Sequence, residues 1–183
     1  MRILLILLLT VILGCTNEVP SSKNKILDFG SFTIDAPGTW TKKDVLGIDS
    51  YVGEIQIDSS EYLHFDLGMY SNDLTEYLEV QMPDGETYFI NPADTSNNPT
   101  LIDSMDLSNI VKSKISWDTI DRRLAKILTQ KRPGVGTTGI YFDSLWGAGR
   151  ERDRFNLYGS NLKPSNELLV LKAFRTIKFY KDK

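Results

Sequence analysis

Tyr62, His64, Asp66 and Tyr70 occupy alternate positions of one short stretch, with Gly68 between the last two. Successive side chains of an extended chain point to opposite sides, and alternate ones lie about 6.5 to 7 Å apart. As a strand, the stretch would turn an imidazole and a carboxylate toward a common ligand. The two tyrosines would flank them as walls, and Gly68 would leave room between. His64 is the only histidine and Cys15 the only cysteine. No Cys/His metal cluster and no internal disulfide can be built from them.

Other motifs carry less. Gly134-Val135-Gly136-Thr137-Thr138-Gly139 matches GxGxxG, but a dinucleotide fingerprint needs its third glycine inside a helix. Gly139 leads into Ile140-Tyr141-Phe142, which favours a strand, so the segment reads as a turn between two strands. Asp28-Phe29-Gly30 spells a kinase tripeptide in a chain with neither the length nor the catalytic loop of a kinase. Asp103, Asp106, Asp118 and Asp121 are close in sequence without the alternate spacing and turn glycine of a calcium loop, and read as solvated loop carboxylates. Arg150, Arg152 and Arg154 alternate with Glu151 and Asp153. On one face of a strand they could grip an anion, but the interleaved acids favour a charged guard on an edge strand. There is no G-x-S-x-G nucleophile elbow.

The N-terminus has its own chemistry. Arg2 precedes an apolar run of 11 residues, Ile3 to Leu13, broken only by Thr10 and followed by Gly14 and Cys15. That is the form of an export signal, and it is shorter than the roughly 20 residues that span a bilayer. Ile12-Leu13-Gly14-Cys15 resembles a bacterial lipobox, although Leu13 is bulkier than the residue usual there. The resemblance implies cleavage before Cys15 and acylation of its thiol and new amino group. Two or three acyl chains hold a protein at a bilayer far more firmly than one. Thr16, rather than Asp, follows the cysteine, which by the same resemblance implies sorting to the outer membrane. Residues 1–14 are then the signal peptide. Residues 15–24, with Pro20, Ser21 and Ser22 and no apolar periodicity, are a flexible tether.

Residues 25–183 are expected to form a single domain. Hydrophobic residues at 41% and charged residues at 25% are enough for a packed core. A net charge of −3 gives no basic excess for a phosphate backbone, so nucleic acid is excluded as a partner. Alternation marks strands at Phe32, Ile34 and Ala36, at Tyr51 to Ile57, and at Tyr62 to Tyr70 with Leu63, Phe65, Leu67 and Met69 facing the core. A hairpin joins Tyr77–Met82 to Thr87–Ile90, and another crosses Asp121-Arg122 between Ile115–Ile120 and Leu124–Gln130. Strands follow at Thr138–Leu145 and Arg154–Tyr158. Asn91 to Thr100 is a loop, and Ile102 to Val111 a short helix. At the end, Val170, Leu171, Ala173, Phe174 and Ile177 share one side of a helix that Pro164, Ser165 and Glu167 would start. The expected fold class is α+β: a mainly antiparallel sheet with a C-terminal helix packed on one face.

The segments "FTIDAPGTW" and "LLVLKAFRTIKF", with the strands between, resemble small domains of the PsbP-like class, and the likeness implies an antiparallel sheet packed against helices. "GIDSYVGEI" and "FDLGMYSN" are similar to uncharacterised bacterial lipoproteins, and no activity or site residue comes with that likeness. The expected function is a lipid-anchored cell-envelope module, non-enzymatic, without cofactor, that binds a protein or small-molecule partner. The alternative is a hydrolase or metal-dependent enzyme of unknown substrate.

Overall fold

The computed structural model describes residues 23–82, 84–92, 110–147 and 149–181. The signal peptide, nearly all of the tether, the loop and helix expected over 93–109, and Asp103 and Asp106 lie outside them. The strands are β1 (Lys25–Asp28), β2 (Phe32–Ala36), β3 (Thr41–Asp44), β4 (Tyr51–Gln56), β5 (Tyr62–Gly68), β6 (Leu78–Gln81), β7 (Thr87–Ile90), β8 (Ser113–Ile120), β9 (Arg123–Gln130), β10 (Thr137–Phe142) and β11 (Arg154–Ser160). Helix α1 (Pro164–Phe174) and strand β12 (Lys178–Phe179) follow. The fold is sheet-dominated, with every strand pair antiparallel and one C-terminal helix among the described residues.

Seven strands form one sheet in the order β3-β4-β5-β11-β10-β9-β8, and β1-β2-β12 form a second. Two local devices set the register of the larger sheet. Between β4 and β5, Asp58 Oδ1 accepts the backbone N–H groups of Ser60 and Glu61 at 2.8 and 2.9 Å, a turn for which aspartate is suited. Between β8 and β9, Asp121 and Arg122 both take positive φ, 48° and 61°, as a two-residue hairpin turn with the twist of its strands requires.

One face of the large sheet is dry. Ile55, Leu63, Phe65, Phe155, Leu157, Ile140 and Phe142 meet Phe32, Ile34 and Ala36 of β2 and Val170, Ala173 and Phe174 of α1. Phe32 stands 5.1 Å from Phe65 and 4.7 Å from Phe155 in edge-on contacts, and Phe179 stands 4.9 Å from Phe142, arrangements that the ring quadrupoles favour. The covering layer is therefore the small sheet together with the helix.

The structure departs from the sequence expectations at several places. Strand β5 ends at Gly68, and Ser71 N–H bonds back to the Gly68 carbonyl at 3.3 Å, so Met69 and Tyr70 lie in a turn. Strand β11 lies between β5 and β10, so the three arginines do not guard an edge. Arg150 lies in the preceding turn, while Arg152 and Arg154 approach Asp143 at 2.9 and 3.6 Å. Ser165 is inside α1, whose N-cap is Lys163 without a side-chain cap bond; the Glu61 carboxylate takes the Lys163 N–H at 2.9 Å. Ile177 is buried but beyond the helix. Thr176 caps the end through its hydroxyl to Ala173 O at 2.7 Å, and the chain then enters β12.

Candidate functional site

The other face of the large sheet is polar, and its side chains form rows across the strands. Glu54, His64, Tyr158 and Gly139 are successive register partners on β4, β5, β11 and β10. The adjacent row runs Val52, Asp66, Asn156, Tyr141 and Lys126, ending on β9. Directly opposed residues have Cβ atoms about 4.5 to 5.5 Å apart, so each row is a line of neighbouring groups.

After β5 the chain recrosses this face, meeting β11, β10, β9 and β8 in turn. Asn72 O accepts from Asn156 Nδ2 on β11 at 2.8 Å. Leu74 then sits over β10, where a Cβ on Gly139 would lie 2.6 Å from Leu74 Cδ1. Lys126 Nζ of β9 donates to Asp73 O at 2.9 Å and to Thr75 Oγ1 at 3.2 Å. At β8, the Glu76 carboxylate accepts from Lys112 N and Ser113 N at 2.9 and 3.2 Å. Within the crossing, Asn72 Oδ1 accepts from Leu74 N at 2.7 Å and Asp73 Oδ1 from Thr75 N at 2.9 Å, side-chain turns of the kind Asn and Asp favour. This strap is held by hydrogen bonds rather than by a common apolar stripe, and Leu74 accepts a positive φ of 58° to make the crossing.

The strap divides the face. On one side is a depression of about 450 Å³ lined by Glu54, His64, Asp66, Asn156 and Tyr158. On the other is one of about 520 Å³ lined by Ile115, Trp117, Lys126, Pro92 and Val111, and Leu74, Thr75 and Glu76 border both. In the polar depression His64 Nδ1 lies 3.1 Å from Glu54 Oε1. The Tyr158 ring lies 5.9 Å from the imidazole. Asn156 is 1% exposed. Its Oδ1, like Asp66 Oδ1 on the opposed residue, is buried with no hydrogen-bond donor among the described residues. Leaving such an acceptor unsatisfied costs about 1 to 3 kcal/mol.

Burial pushes the Lys126 ammonium below its ordinary pKa, and the Asp73 carboxylate opposes that. Hydrogen bonds from Thr75 and the charges of Lys126 and Arg154 hold the Asp73 carboxyl below the usual range, outweighing desolvation, the largest single influence on it. The Tyr141 phenol is pushed well above its normal value by burial and then by its hydrogen bond to Asp143.

Of the residues singled out in the sequence, His64 and Asp66 line one depression. Tyr62 shares their face but not that lining, and Tyr70 lies in the turn beyond β5, against a separate shallow hollow with Ser50 and Met69. Asn156, Tyr158 and Glu54 were missed. Their only sequence signal is that each falls at a polar position of an alternating strand. Asp118 and Asp121 are engaged structurally, Asp118 with Arg175 and Asp121 with Phe179 N–H at 3.0 Å. Among the described residues no group of three or more His, Cys, Asp or Glu side chains is placed to hold a metal ion, and no helix is long and apolar enough to cross a membrane. Comparison of the chain with protein-family models, with curated proteins and with solved structures finds no match.

Proposed function

We propose that this chain is a lipid-anchored protein of the cell envelope, held through Cys15 at the outer membrane, whose strapped sheet face binds a small molecule or a protein partner without transforming it. The anchor reading rests on the Ile12 to Cys15 segment after its apolar run. The binding reading rests on one observation: Asn156 Oδ1 and its neighbour Asp66 Oδ1, on two residues that line the depression, are shielded from solvent and have no donor among the described residues. Buried polar groups are nearly always satisfied, and a bound molecule supplies what the fold omits.

A hydrolase is the second reading, favoured by the imidazole of His64 lying 3.1 Å from the Glu54 carboxylate at the rim of the depression. Intact-mass measurement of the full chain purified from its own membranes tests the proposal. A product starting at Cys15 with two or three acyl chains and a co-purifying ligand lost on Asp66→Asn is expected. An unacylated Cys15 would overturn the anchor, and turnover in a hydrolase screen that His64→Ala abolishes would replace binding by catalysis.

A further inference from the structure

We infer that the polar depression is a site for a protonated nitrogen, an ammonium or guanidinium group carried on a small molecule or on a side chain of a protein partner. This rests on the reading of the strapped face as a binding face and names the chemistry it selects. Asp66 Oδ1 and Asn156 Oδ1 are acceptors side by side on adjacent strands, without a donor among the described residues. Of the cations nearest to them in the sheet, Lys126 donates to the strap, and Arg154 lies 3.6 Å from Asp143 through an Nε that has no hydrogen-bond partner among the described residues and donates to neither acceptor.

The charges bordering the depression are the carboxylates of Glu54, Asp66 and Glu76, with His64 as the one basic group. An anion meets repulsion there. A neutral hydroxyl satisfies one acceptor, whereas a charged nitrogen offers several hydrogens, each in a charge-assisted bond. Tyr158 lines the depression, where an aromatic ring can take up a cation, and Val45, Val52 and Leu74 supply an apolar wall for a stem. The chain already shows the mode of holding. On the other side of the strap, the Lys126 ammonium passes under the backbone and is taken by Asp73 O and Thr75 Oγ1. Both unpartnered oxygens are shielded from solvent, so the ligand nitrogen enters between the strap and β5, displacing the strap locally.

The test titrates the full chain in detergent with cadaverine and with agmatine, and in parallel with valerate and pentanol. Calorimetry reads the affinity, and nitrogen-15 shifts of the Asn156 side-chain amide and of residues 72–76 locate it. Saturable binding of an amine or guanidine, weakened about tenfold by Asp66→Asn and by added salt, is expected. The melting temperature of that variant is measured alongside. If Asp66→Asn does not fold, Glu54→Gln at the rim carries the test, with about a threefold loss expected. A Gly-Arg-Gly peptide that binds far more tightly than agmatine assigns the group to a protein partner, and the reverse order assigns it to a free metabolite. Affinity unchanged in a folded Asp66→Asn protein overturns the inference. Binding of valerate or pentanol at the Asn156 amide, with none of the cations, overturns it while the binding face stands. No shift at Asn156 or the strap with any of the four overturns both.

Discussion

The two faces of the seven-stranded sheet are made by the same strands, and they are closed in opposite ways. Toward β2 and α1 the cover is aromatic and aliphatic, with Phe32, Phe65 and Phe155 in mutual ring contact. Toward the strap the cover is one irregular segment whose attachments are Asn72 to Asn156, Asp73 and Thr75 to Lys126, and Glu76 to Ser113. Dispersion and burial scale with area, so the first face resists opening as a unit. Hydrogen bonds traded against water are each worth about 1 kcal/mol, so the second face can open locally. Under the proposed function, stability and ligand access fall to different sides of one sheet.

The largest expected effect lies on the aromatic face. Phe155→Ala empties the centre of the ring cluster and should cost about 3 to 5 kcal/mol in denaturant unfolding. A loss below about 1 kcal/mol would erase the contrast between the faces. Lys126→Met comes next. Asp73 O and Thr75 Oγ1 lose their donor, but the cost of burying an ammonium disappears. A net loss of about 1 to 2 kcal/mol is expected, with hydrogen exchange faster in residues 72–76 and unchanged in β5 and β11. Uniformly faster exchange would mean that the strap is part of the global fold.

Smaller again is an acid effect at the edge of the aromatic side, where Asp58 ties the β4–β5 turn to the start of α1 through Lys163 and Asn166, both at 2.9 Å. The Ser60 N–H, then the Lys163 ammonium and Asn166, hold the Asp58 carboxyl well below the usual carboxylate range. The folded state therefore binds this proton more weakly than the unfolded chain. The contribution is complete above the ordinary aspartate range and is lost as the pH falls below it. Melting curves at neutral pH and in that acid range should converge in Asp58→Asn relative to the parent, while an equal acid loss in both would acquit this group. The smallest effect belongs to neither face. Arg122→Gly relieves a positive φ in the β8–β9 turn and should raise stability by up to about 1 kcal/mol, with ligand affinity unchanged.

The legible parts of the fold are those where a period of two meets burial on one side only. Leu63 and Phe65 against His64 and Asp66 placed β5, and the Asp121-Arg122 pair between two runs placed the β8–β9 hairpin. β12 was hidden because Ile177 continues the helical spacing of Phe174 and Ala173, and only the Thr176 cap, which also accepts the Asp35 N–H, redirects the chain. The β3 strand Thr41–Asp44 is exposed throughout and has no apolar face to announce it. For the site, one strand yielded its own pair, His64 and Asp66. Glu54, Tyr158 and Asn156 come from strands that register, not sequence proximity, brings alongside. The strap sequence from Ser71 to Glu76 has no periodicity, because its partners are backbone atoms and side chains of four different strands.

The pairing of β12 with β2 sets a timetable for the molecule. Thr176 meets Asp35 across 141 positions, and Phe179 closes over Phe32, Phe142 and Phe155. The ring cluster therefore seals only after residues 176–179 have returned to β2, and because contacts of such long sequence separation slow folding, the closing of this face is a late step that waits on the segment after α1.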